Sequence, residues 1–141
     1  MKLSSKGRYA VMALADMAKF NESDPISLRD ISLRQNISLV YLEQLFLKLK
    51  KDKIVSSVRG NKGGYILCKK PSEIKISDVL FAVEEKVKTI GCEKESAHGC
   101  NGRSSKCITH NLWDELEDYI NNFFQQKTLN DLINKKISNR L

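Results

Sequence analysis

Residues 27 to 51, SLRDISLRQNISLVYLEQLFLKLKK, leave few options for folding. Ser27 and Asp30 form an S-x-x-D pattern that resembles a capping box with Asp in place of the usual Glu. A short helix therefore opens at Ser27, and Asn36 is a residue suited to a left-handed stop. One turn later Ser38 caps the next helix, where Leu42, Leu45, Phe46 and Leu49 fall at i, i+3, i+4 and i+7 and make one buried stripe. At about 100° per residue, Val40, Gln44, Leu47, Lys48 and Lys51 lie on the opposite side, with Tyr41 and Glu43 at its flanks. Two helices joined by a tight turn, the second with a polar and basic outer face, form a helix-turn-helix. In that motif the N-terminal part of the second helix reaches base edges in the major groove. Upstream, Val11, Leu14, Ala15 and Ala18 give Gly7 to Phe20 the spacing of an amphipathic helix, which the loop NESDP stops at Asn21.

Ile54 to Arg59 and Tyr65 to Lys69 are short β-branched and aromatic runs around Gly60-Asn61-Lys62-Gly63-Gly64, the pattern of a hairpin with a glycine-rich tip. Directly after a recognition helix such a hairpin is a wing. It can carry Arg59 into a narrow, A·T-rich minor groove, with Gly60 and Lys62 at the backbone; the plainer reading of Arg59 is a surface strand arginine. Charge supports the first reading. The chain has a formal net charge of +7, but residues 1 to 75 hold fifteen Lys/Arg against seven Asp/Glu, whereas residues 76 to 141 hold nine against ten. Lys48, Lys50, Lys51, Lys53, Arg59 and Lys62 are opposed in their stretch only by Asp52. A polyanion is the natural partner of that half.

The second half carries different chemistry. Ser77 is expected to cap a short helix with Val79, Leu80 and Val83, and a hydrophilic loop follows from about Lys88 to Ile108. In and just after that loop Cys92, Cys100, Cys107 and His110 give the spacing C-x7-C-x6-C-x2-H. Thiolates and imidazoles hold zinc and iron. Structural zinc sites usually pair ligands in close C-x2-4-C units, absent here, while wide spacing suits a two-iron core with ligands at both ends. Zinc, unmetallated redox thiols, and His98 in place of His110 are the alternatives. Imidazole binds metal only when deprotonated, so a cluster with a histidine ligand is sensitive to acid and oxidants. Cys68, in a predicted strand, reads as a buried thiol. After the loop, Leu112, Trp113, Leu116, Tyr119, Ile120, Phe123 and Phe124 mark a long helix whose stripe is too aromatic for the remaining chain to cover. A second subunit is the expected cover, the rival being packing within the chain against Gly7 to Phe20 and a last helix, Leu129 to Ile137.

Four segments, LSSKGRYAV (Leu3 to Val11), ISLVYLEQLF (Ile37 to Phe46), VSSVRGNKGGY (Val55 to Tyr65) and CITHNLW (Cys107 to Trp113), resemble the Rrf family of winged-helix repressors, and within it the iron-sulfur-responsive regulators. The resemblance covers nearly the whole chain. It implies a homodimeric winged helix-turn-helix factor that binds a 2Fe-2S cluster through Cys92, Cys100, Cys107 and His110, with Glu43, Gln44 and Arg59 among the DNA-reading residues. Departures from the family pattern are the longer ligand loop, Val40 in place of a small hydroxyl, Asn61-Lys62 in place of Pro-Gly, and the additional thiol Cys68.

The expected architecture is therefore mainly α. Residues 1-75 form a winged helix-turn-helix domain with a small β-hairpin wing, and residues 76-141 hold the cluster-binding loop and dimerisation helices. The DNA-binding set is Ser38, Val40, Tyr41, Glu43, Gln44, Lys48, Lys51, Arg59, Gly60 and Lys62. In this reading Gln44 reads base edges, Glu43 accepts from cytosine N4, and Lys48 and Lys51 fix the backbone. The partners are a double-stranded DNA operator and a second copy of the chain, with Fe-S assembly proteins as cluster donors. No apolar run is long enough for a membrane span, and the start lacks a signal peptide, so a cytoplasmic protein is expected. Expected targets are Fe-S cluster assembly genes. The alternatives are a DNA-binding sensor of nitric oxide or oxidants using the same loop, and, from another class, an Fe-S or zinc metalloprotein acting as electron carrier or enzyme. That last reading finds no acid-base constellation in the chain and gives the basic helix no task.

Overall fold

The computed structural model describes residues 3–20, 24–87 and 107–134. The elements run α1 (Ser5–Phe20), α2 (Leu28–Gln35), α3 (Leu39–Lys51), β1 (Val55–Val58), β2 (Gly64–Leu67), a 3-10 turn at Pro71–Glu73, α4 (Ile76–Ala82), α5 (His110–Gln126) and α6 (Leu129–Ile133). The fold is mainly helical with one antiparallel hairpin, as expected.

The first three helices begin and end for the reasons legible in the sequence. Ser27 caps α2 by accepting from Asp30 N–H, and Asn36 ends it in the left-handed region at φ 55°, its own N–H donating to Ser32 O. Leu42, Leu45, Phe46 and Leu49 are all buried, at about 2 kcal/mol each for removal from water. They meet Ala10, Ala13, Leu14 and Met17 of α1 and Ile31 of α2 in one cluster. Alanines on α1 bring its backbone close to its neighbours, and a buried carboxylate locks the arrangement. Asp16 Oδ2 accepts from Arg34 Nε at 2.9 Å and from Gln35 Nε2 at 2.8 Å, while Oδ1 accepts from Arg34 Nη2 at 2.6 Å. The Arg34 guanidinium also lies 4.9 Å from the Phe20 ring centre.

The hairpin is shorter than its sequence suggests. Val55 pairs with Leu67 and Val58 with Gly64, so Arg59 leaves the strand and starts the tip. Ile26 adds a bridge missed at the sequence level, exchanging both backbone bonds with Tyr65 at 2.9 and 2.8 Å. This close approach requires glycine at position 64, because a Cβ there would sit 2.3 Å from Ile26 O. Cys68 is exposed rather than buried: β2 ends at Leu67, and Cys68 follows it with its N–H on Ile54 O.

Ser77 does not cap α4. The helix starts at Ile76 with Lys75 before it, because Lys75 is paired with Thr128 and Ile76 N–H donates to Lys127 O at 2.8 Å, which puts the cap two positions ahead of Ser77. Val79, Leu80 and Val83 are buried as expected. Leu129, on a helix capped by the Thr128–Asp131 box, is fully buried against the same core, so the cluster runs across position 75. Within the described residues the last helix ends at Ile133.

Replacing Arg34 by Ala leaves Asp16 buried with only Gln35 as a side-chain partner. Because Arg34 is partly exposed, the expected loss is below the roughly 3–5 kcal/mol of a fully buried broken pair, about 2 kcal/mol. Urea unfolding of the two proteins side by side checks this; a change below ~0.5 kcal/mol would contradict it.

Candidate nucleic-acid interface

With its stripe buried, α3 turns a fixed set of side chains outward. Val40, Glu43, Gln44, Leu47 and Lys51 are exposed, and Ser38 heads the helix with Oγ accepting from Tyr41 N–H. Lys50 Nζ donates to Ser57 Oγ at 2.8 Å, which ties the end of α3 to the wing. Arg59, Gly60 and Lys62 are exposed at the wing tip, closed by Gly63 N–H on Gly60 O at 2.9 Å. Most of the expected set is thus exposed, on the outer side of α3 and at the tip of the hairpin that Lys50 ties to it.

Two members stand apart. Tyr41 is half-buried between α3 and α1, its hydroxyl 3.1 Å from Ser5 Oγ and its ring edge-on to Tyr9 at 5.9 Å, so its contacts hold the recognition helix in place. Lys48 is turned sideways into an ion pair with Glu84, Nζ to Oε2 3.1 Å.

Sequence reading did not single out Glu84 and Glu85. Glu84 lies just past α4 in the left-handed region, φ 60°, and its hydrogen bond from Lys48 and the charge of Lys48 hold its carboxyl below its usual range. Glu85 turns inward. Its carboxylate accepts from Ser4 N–H at 2.9 Å and from Ser4 Oγ–H, at the start of α1, where a negative charge also suits the helix dipole. Gly7 makes room, since a Cβ there would meet Glu85 Cγ at 2.8 Å. Burial on its own would raise the Glu85 pKa; the bonds from Ser4 and the Gly7 backbone, with Lys6 nearby, outweigh it and the net shift is downward. The signal available in the sequence was a glycine inside the first helix.

Of the expected metal ligands, Cys92 and Cys100 lie outside the described residues, as does His98. Cys107 and His110 stand together at the head of α5, with His110 N–H on Cys107 O at 3.1 Å. Cys107 Sγ is 3.6 Å from Thr109 Oγ1, and the buried His110 ring has Nε2 3.2 Å from Asp114 Oδ2. Among the described residues no three His, Cys, Asp or Glu side chains gather closely enough to hold a metal. Beyond His110, α5 packs on α4 and lends Phe124 to the core, while Leu112, Tyr119 and Phe123 remain exposed.

A family model described as "Rrf2: Iron-dependent Transcriptional regulator" matches residues 3–135. The chain belongs to the Rrf2 family. This Rrf2 protein is 48% identical over 136 residues to the "HTH-type transcriptional regulator IscR" of Photorhabdus laumondii, a match covering 96% of this chain and 81% of that one. It is also 48% identical to the regulator of the same name in Escherichia coli K12, over 96% and 82% of the two chains. Among solved structures it resembles T. potens IscR, with TM-score 0.78 and 32% identity over 100% of this chain and 92% of that one. It also resembles CymR, the global cysteine regulator of B. subtilis, with TM-score 0.80 and 29% identity over 96% and 98%. The chain is accordingly a transcriptional regulator of the IscR type with the winged-helix fold of its family, and its relatives are regulators rather than enzymes. No helix among the described residues is long and apolar enough to cross a membrane.

A depressed carboxyl pKa stabilises the fold above the ordinary value of 4.5, and that share is lost as pH falls through the lowered value. Glu85→Gln is therefore expected to lower stability at pH 7 and to flatten the fall in stability below pH 4.5. Unfolding in urea between pH 7 and pH 3 tests it, and an acid limb parallel to that of the parent would count against the Ser4–Glu85 cap.

Proposed function

We propose that this regulator acts in the cytoplasm as a homodimer on a double-stranded DNA operator, senses Fe-S status through a 2Fe-2S cluster, and controls Fe-S cluster assembly genes. Cys92, Cys100, Cys107 and His110 would hold the cluster, which Fe-S assembly proteins would donate. Bound there, it supplies a group that oxidants and iron shortage remove. In this reading residues 1-75 carry DNA contact and residues 76-141 carry ligand and dimer contacts.

The observation that carries the reading is the position of Cys107 and His110 at the head of α5. They are donors of the right chemistry, Cys107 just before α5 and His110 at its first residue, and the same helix carries the uncovered Leu112, Tyr119 and Phe123, a face that a second copy would bury. A carboxylate beside one ring nitrogen, as Asp114 is beside His110 Nε2, is the usual companion of a ligating imidazole and leaves ligation to the other nitrogen, Nδ1. At the other end of the ligand region, Glu84 holds Lys48 of the recognition helix and Glu85 holds the start of α1. The two carboxylates thereby tie the chain that leads into the ligand region to the helices that carry Gln44, Glu43 and Ser5. Ligand occupancy alters DNA choice only through a difference between two arrangements.

Anaerobically purified parent protein is expected to hold about two iron and two sulfide per chain with visible absorption. Cys107→Ala and His110→Ala are expected to lose both while keeping the helical circular dichroism of the parent. A coloured Cys107→Ala protein would sink the ligand assignment, and zinc in the colourless parent would replace iron in it. On DNA, log affinity should fall steeply with log salt, and Lys51→Ala should reduce that slope by about one phosphate contact. Salt-insensitive binding would contradict the DNA reading.

A further inference from the structure

The outward face of α3 is apolar at its centre. Val40 and Leu47 are 63% and 66% exposed, although either position would accept a polar residue at no structural cost. They lie two turns apart and within about 20° of one another around the helix, with Gln44 between them along the axis and about 40–60° to one side. Lys51 continues the line of Val40 and Leu47, and Lys62 and Arg59 stand exposed on the wing, so the surroundings of the two apolar side chains select a polyanion. The apolar group that DNA offers in its major groove is the C5-methyl of thymine.

We propose that Val40 and Leu47 are specificity-determining residues that pack on thymine methyl groups on either side of the base read by Gln44. The inference rests on the DNA-binding reading of the same face and adds the chemistry of the operator. Seven residues of α-helix span ~10.5 Å, so with α3 lying along the groove the two methyls are about three base pairs apart. Glutamine pairs best with adenine N6 and N7, so the half-site carries an adenine between the two thymine positions, with each methyl on whichever strand presents it.

The test uses the full chain, purified anaerobically, and duplexes selected by it from a random pool. In the selected operator each thymine is replaced singly by uracil, which removes one methyl and keeps every hydrogen-bonding group. With the parent, two replacements per half-site are expected to weaken binding about fourfold each, the equivalent of one buried methyl. The Val40→Ser protein should lose the penalty at one of these positions and Leu47→Ser at the other. Uracil tolerated everywhere by a parent that still binds with a steep salt slope overturns the methyl contacts and leaves the DNA reading standing. Penalties that persist in both serine variants overturn them equally. Failure to select any duplex, or affinity indifferent to salt, overturns both readings together.

Discussion

Burial of Leu42, Leu45, Phe46 and Leu49 sets the rotation of α3, and the rest of the molecule's chemistry depends on that rotation. A helix has one way to hide such a stripe, and hiding it turns Val40, Glu43, Gln44, Leu47 and Lys51 outward. The stripe needs a matching wall, which the alanines of α1 and Ile31 of α2 supply. Asp16 then prevents α2 from sliding on α1, because a buried carboxylate held by Arg34 and Gln35 tolerates little displacement. The turn between α2 and α3 is set by Asn36 in its left-handed conformation.

Among the described residues the second half of the chain is fastened to this rigid head by the shared core and by three polar ties. Lys75 pairs with Thr128 beside the buried Leu129, Glu85 caps α1 through Ser4, and Glu84 reaches Lys48. The first is a backbone bridge backed by a core residue. The last is an exposed ion pair, of the kind that contributes little to stability and exchanges readily. Such a pair changes partners at small cost, so the Glu84 contact is the adaptable one of the three.

How much of this could be read beforehand varied with the range of the interaction responsible. The caps at Ser27 and Ser38, the stop at Asn36 and the buried stripe of α3 are local, and each stands where the residue pattern placed it. Ser77 failed as a cap because a backbone pairing to a segment fifty residues away fixed the start of α4 first. The Ile26–Tyr65 bridge and the Ser4–Glu85 bond are likewise long-range, and the glycines at 64 and 7 that make room for them were read only as part of the hairpin tip and the start of the first helix. Tyr41 and Lys48 were placed on the correct helix, but a helical wheel does not show which neighbour takes up a flanking side chain. For the ligand set, spacing and residue type singled out four positions, and the described residues include Cys107 and His110.

The central claim is that ligand occupancy at the head of α5 changes which DNA the outward face of α3 accepts. It is tested most directly by parallel binding-site selection from one random duplex pool, performed anaerobically with the parent carrying the proposed cluster and with the Cys107→Ala protein. The account predicts that the two recover different motifs, with the thymines and adenine assigned to Val40, Gln44 and Leu47 common to both and the difference elsewhere in the half-site or in its spacing. Recovery of one and the same motif with equal affinity by both proteins would contradict it.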